Sequence, residues 1–195
     1  MALMDAAGAH CISCKIGGAV HAAHDEGCQI IAGATRAAGY FARREQIIPE
    51  LATAKCQSPV LDIDAFGLAG ADRLLIDFTL RSGMAERYHQ GGKRDNNAAG
   101  SAEEDKLVRY PARGGVSVRG VAMEVMGRHG PDLTLLLTEL ADRTLVAAVE
   151  HGRAPARLMH KWRCRLSAMC ARLVGRQVAQ SLARDPHPWE PDGAS

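Results

Sequence analysis

At 195 residues, 47% of them apolar and with a formal net charge of +2, the chain is long enough to bury one core and too evenly charged for its net charge to name a partner. It has no run of about 18 or more uncharged apolar residues, which excludes a helical membrane span and makes a soluble fold the expectation. Charge is nevertheless segregated. His151 to Arg184 carries eight Lys or Arg and no acid, whereas residues 1–150 carry 16 basic and 19 acidic side chains. Such a polycation suits phosphate backbones, or else forms a solvated helix face.

The N-terminal "MALMDAAGAHCISC" lacks the basic start and apolar stretch of a signal peptide, so an intracellular location, the nucleus included, is expected. In a reducing compartment the six cysteines read as metal ligands or core residues ahead of disulfides. "HCISCKIGGAVHAAH", residues 10–24, has the composition of a zinc site. If the following helix is continuous from Val20, His21 and Cys28 stand about 10 Å apart along its axis and cannot share an ion. The expected ligands are therefore Cys11, Cys14, His21 and His24, with Cys28 in reserve if Gly27 breaks the helix. The alternative is surface histidines and cysteines acting as small hydrophobes. Cys56, Cys164 and Cys170 show no ligand spacing, and Trp162 reads as a packing anchor.

"DEGCQIIAGATRAAGYFARRE" is helix-like through Ile30, Ile31, Ala34, Ala37 and Ala38, although three glycines weaken it. "YFARREQIIPEL" reads as a strand stopped near Pro49, and "VLDIDAF" and "RLLIDFTL" as two further strands in an antiparallel pair. Residues 81–101 read as a polar loop. A helix is expected from near Ser101, with Glu103 and Glu104 in its first turn, ending by Pro111. "GVSVRGVAMEVMGRHG" holds a fourth strand. "PDLTLLLTELADRTLVAAVEHG" is an amphipathic helix begun by Pro131 and closed by Gly152. A last helix sets Leu158, Trp162, Leu166, Met169 and Leu173 at helical spacing opposite most of its Arg residues, and the tail after Asp185, with three prolines, is expected to be disordered. The order predicts an α/β domain with one mixed sheet.

Acid inside the strands needs compensation, because a buried carboxylate costs several kcal/mol without a cation or donors. Strict alternation puts Asp62 and Asp64 on one face of their strand and Asp77 and Thr79 on one face of the next. Neighbouring strands let Asp64 and Asp77 converge on one hard divalent cation, Mg²⁺ or Mn²⁺. Solvent-facing edge acids are the alternative. Downstream, "SAEEDKLVRY" places Lys106 and Tyr110 four apart on one helical face.

Asp64, twelve intervening residues, Asp77-Phe78-Thr79, a loop and the Lys106-x-x-x-Tyr110 helix together resemble the restriction-like endonuclease domain of site-specific non-LTR retrotransposons, a branch of the PD-(D/E)XK nuclease superfamily. The usual superfamily lysine, two residues after the second acid, is Thr79 here. The retrotransposon branch similarly takes its lysine from the following helix, the place of Lys106. His24-Asp25 is similar to the His-Asn or His-Asp pair that follows that branch's zinc knuckle. Ile63 stands where a proline usually precedes the first acid, and Asp62 where a lysine is often found before it.

The resemblance, which covers roughly residues 10–130, implies a zinc knuckle within the N-terminal segment 1–28 and a restriction-endonuclease-like domain with a mixed central sheet over 29–152; charge and composition add a basic helix over 153–185 and a disordered tail over 186–195. It implies a metal-dependent DNA endonuclease or nickase. Asp64 and Asp77 would hold Mg²⁺, Lys106 would orient water or stabilise the phosphate, and Thr79 and Tyr110 would be supporting donors. Lys161, Arg163, Arg165, Arg172 and Arg176 would contact DNA phosphates. The alternatives are a non-catalytic zinc-containing nucleic-acid-binding module and an inactive mobile-element remnant.

Overall fold

The computed structural model describes residues 18–54, 56–67, 73–83, 98–111, 117–150 and 157–184. Cys11, Cys14, most of the expected 81–101 loop, the Gly152 helix stop and the C-terminal tail lie outside the described residues. Helix α1 (Ala19–Ala37) leads into β1 (Tyr40–Ile47), and a short 3-10 turn (Pro49–Leu51) precedes β2 (Val60–Gly67). Strand β3 (Arg73–Arg81), helix α2 (Ala98–Arg109), strand β4 (Val118–Glu124), helix α3 (Pro131–Glu150) and helix α4 (Leu158–Arg184) follow. The strands form one mixed sheet in the order β1-β2-β3-β4, the first two pairs antiparallel and β3-β4 parallel. Helix α2 makes the crossover that a parallel pair requires.

Alternation along β3 and β4 decides what each face of the sheet covers. Ile76, Phe78, Val121 and Met123 enter the main core with Ile30 and Ile31 of α1, Leu133, Leu136 and Leu137 of α3, and Trp162, Leu166, Met169 and Leu173 of α4. On the other face Leu75 and Val118 meet Ile48, Leu51 and Leu61, and Ala122 meets Ala99 and Ala102 of α2. Burial of each large apolar side chain is worth roughly 1.5–3 kcal/mol, so the four anchors of α4 make it an integral layer of the domain. The boundary expected after residue 28 also falls inside the continuous α1. Gly27 does not break that helix; it lets α1 approach β3, since a Cβ there would overlap the Phe78 ring.

Helix α2 begins three residues before the expected Ser101, and Glu103 is not an exposed first-turn acid. It is buried, and its carboxylate accepts the N–H groups of Ala122 (2.9 Å), Asp132 (2.9 Å) and Leu133 (3.0 Å). One side chain thus caps the start of α3 and pins α2 to β4. Glu124 acts likewise at α2, accepting the Ala98 N–H at 3.0 Å.

Strict alternation fails at one place. Leu61 packs with Leu75 on the α2 side while Ile63, two residues on, lies in the main core. Across the ladder, between the pairs Arg44↔Ile63 and Gln46↔Leu61, Glu45 has φ 52°, a left-handed conformation unusual for a non-glycine residue. The β2-β3 ladder runs from Ile63↔Ile76 to Phe66↔Arg73, so the start of β2 and the end of β3 part at Asp62 and Asp77.

Candidate active site

Where the two strands part, Asp62 turns its carboxylate across the gap. One oxygen accepts the Phe78 N–H at 2.7 Å, which replaces a ladder bond that the splayed backbone cannot make. The same carboxylate lies 3.5 Å from His24 Nε2 and within hydrogen-bonding reach of Asp77. Lys106, from α2, donates to Asp77 Oδ2 at 2.6 Å, and both side chains are about nine-tenths buried. Its stem rests on Gly120 of β4, where an added Cβ would overlap it, so this glycine makes room for the lysine. Tyr110, one turn after Lys106, brings its hydroxyl to Asp77.

Two close carboxylates push their proton affinities apart. Burial works against ionisation of Asp62, but the His24 hydrogen bond and charge and the Phe78 N–H outweigh it and hold the carboxyl below its ordinary value. Asp77 moves the other way, raised by burial and by the Asp62 charge against the pull of Lys106. Burial and the Asp77 charge also raise Tyr110. Two carboxylates thus face one ammonium and the His24 imidazolium at the gap. This oxygen-donor set is chemically matched to a hard divalent cation.

Asp64, the expected partner of Asp77, does not join this group. Arg73 reaches it through Nε at 3.0 Å and through its terminal nitrogen at 3.3 Å, and Arg43 adds a hydrogen bond at 3.3 Å. Both guanidinium groups lie over the Phe66 ring, and Arg73 also bonds Glu50 at 2.7 Å. Asp64 is thus compensated by arginine, and Asp62 is the acid brought to Asp77. Thr79 is half-buried on β3 opposite Ala122.

His24, expected among the zinc ligands with His21, turns Nε2 toward Asp62. Its Nε2 is 3.1 Å from the Phe78 carbonyl oxygen, and its ring lies 5.6 Å from that of Phe78. The Asp62 and Cys28 hydrogen bonds push its pKa up to about 11. Burial pushes the Cys28 thiol up despite the nearby imidazole. His21 is exposed and faces Asp25 at 3.7 Å. Among the described residues the group of metal-ligating side chains close enough to share an ion is His24, Cys28 and Asp62.

On α4, Lys161, Arg163, Arg165, Arg172 and Arg176 are all exposed, and Arg172 also pairs with Glu26 of α1. Among the described residues no helix is long and apolar enough to cross a membrane.

Alternation misses Asp62 because the chain kinks there. The signal that finds it is the hairpin register: carried one step past its last pair, Ile63↔Ile76, the ladder would bring Asp62 to Asp77, whereas Asp64 falls against Leu75. Compared with known proteins, the chain matches no family model and no curated sequence.

Proposed function

We propose that the protein is a metal-dependent DNA endonuclease or nickase of the restriction-like class, with its hydrolytic centre at Asp62, Asp77 and Lys106. The observation that carries this reading is the meeting of two largely buried carboxylates and a buried lysine where β2 and β3 part. The mixed sheet between helices, and a lysine supplied by the helix after β3, agree with what the resemblance to retrotransposon endonucleases implies. The first acid moves from Asp64 to Asp62.

Asp62 and Asp77 would hold Mg²⁺ or Mn²⁺, which when bound supplies Lewis acidity at a phosphodiester and lowers the pKa of water. The Phe78 N–H and the His24 ring keep the Asp62 carboxylate turned into the gap, and Tyr110 steadies Asp77. The Lys106 ammonium, fixed over Gly120, stands where it can donate to a phosphate oxygen or orient the attacking water. Positive charge is then already in place where negative charge grows as the water oxygen bonds phosphorus and the P–O ester bond breaks. The exposed cations of α4 would contact duplex phosphates and set the protein's position on DNA. Those same cations are the observation favouring a second reading, a module that binds nucleic acid without cutting it.

Nicking of a supercoiled plasmid separates the two. The endonuclease converts it to the open circle with Mg²⁺ and not with EDTA, whereas a plasmid bound but intact with Mg²⁺ and Mn²⁺ leaves the binding module or an inactive remnant.

A further inference from the structure

Beside the acidic pair, His24, Cys28 and Asp62 bring three different ligand chemistries together, with their donor atoms within 4.8 Å of one another. His24 and Cys28 are one helical turn apart on α1, so the helix holds them on the same side. Asp62 arrives from β2 because the kink opposite Glu45 turns it toward α1.

The separations have a meaning. His24 Nε2 lies 3.5 Å from Asp62 Oδ2, and Cys28 Sγ lies 3.9 Å from His24 Nε2. Ligand bonds of about 2.3 Å to sulfur and 2.0–2.2 Å to nitrogen and oxygen, at tetrahedral angles, set neighbouring donor atoms about 3.4–3.6 Å apart. Two edges, His24 to Asp62 and His24 to Cys28, thus come within a few tenths of an ångström of those of a zinc tetrahedron, and the third, Cys28 to Asp62, is closed to within 4.8 Å. The Phe78 carbonyl oxygen lies 3.1 Å from His24 Nε2. Asp25 Oδ1 lies 3.8 Å from the other ring nitrogen, beyond hydrogen-bond distance, and Cys28 Sγ is as near to that nitrogen.

We propose that His24, Cys28 and Asp62 form a binding site for a borderline transition-metal ion, Zn²⁺ in the first instance. Sulfur and imidazole favour such an ion over Mg²⁺, which takes oxygen. The site takes His24, one of the ligands expected of the N-terminal knuckle, and it shares only Asp62 with the proposed hydrolytic centre. Binding releases the thiol proton of Cys28 and the proton held on His24.

Cobalt is the probe, because a cysteine thiolate on Co²⁺ gives a near-ultraviolet charge-transfer band that oxygen and nitrogen ligands do not. The full chain is prepared with Cys11→Ser, Cys14→Ser and Cys164→Ser, which removes the other cysteines next to candidate ligands; Cys164 lies 3.4 Å from His160 Nε2. Titration with Co²⁺ should raise the band to an endpoint of one ion per chain, and Zn²⁺ should displace it. Adding Cys28→Ser should abolish the band, and Asp62→Asn should weaken binding at least tenfold. Asp77→Asn, which disables the hydrolytic centre, should leave the band intact, so failure of the nuclease reading does not touch this one. No band in a chain whose circular dichroism matches the unmodified protein, or a band that persists without Cys28, overturns the site.

Discussion

Lys106 Nζ donates to Asp77 Oδ2 at 2.6 Å inside a largely buried pair, and Asp62 lies within hydrogen-bonding reach of the same carboxylate. In the proposed site the ammonium and a divalent cation would stabilise the same charge. Lys106→Met should lower stability in EDTA, because it leaves the buried Asp77 carboxylate without its ammonium partner. Mg²⁺ at millimolar concentration should restore more of that loss than it adds to the unmodified chain. Calorimetric melting of both proteins with Mg²⁺ and with EDTA measures the difference. Equal shifts would separate Lys106 from the cation site.

Asp64 gives the opposite expectation. It is buried under two guanidinium groups, so Asp64→Asn leaves Arg43 and Arg73 without their shared anion. The loss should be about 3 kcal/mol, and urea unfolding should show it as a lower midpoint at unchanged slope. Mg²⁺ should stabilise the folded Asp64→Asn protein as it does the unmodified one. A variant of native stability would mean that the arginine cage contributes nothing.

The contrast between the two acids shows what the sequence makes legible. All four strands and the helices around them follow from periodicity, turn residues and Pro131, because most buried faces alternate as a regular strand or helix requires. Asp77, Lys106 and Tyr110 are legible for the same reason, being on regular elements. Asp62 is not, since its orientation depends on the left-handed turn at Glu45 in a different strand. His24 is legible as a metal-type residue, but its direction is set by tertiary packing of α1 on Phe78 through Gly27. Glu103 reads as an ordinary surface acid until α3 docks on it.

That docking predicts a stability effect far from the site. Glu103→Ala leaves three backbone N–H groups without their acceptor and should cost about 3 kcal/mol in chemical unfolding. Gly130→Ala should also destabilise, since its Cβ would overlap the Glu103 carboxylate. Near-native stability in both variants would show that α3 needs no such cap.

The exposed row on α4 predicts a salt effect. Replacing Lys161, Arg163, Arg165 and Arg176 with Gln should weaken binding to any duplex, and the log–log salt slope should fall by about 0.9 for each phosphate that the protein no longer neutralises. Fluorescence anisotropy with a labelled duplex over a range of salt measures both. Unchanged affinity and slope would make this face a solvated surface.

The central claim is that Asp62 and Asp77, and not Asp64, form the hydrolytic acid pair, and side-by-side plasmid nicking by the unmodified protein, Asp62→Asn, Asp77→Asn and Asp64→Asn in Mg²⁺ tests it most directly. At a temperature where circular dichroism shows all four folded, the unmodified protein and Asp64→Asn should nick, and the Asp62 and Asp77 variants should fall to the EDTA background. Nicking that survives in Asp62→Asn but is lost in Asp64→Asn, or an intact plasmid with the unmodified protein, would contradict it.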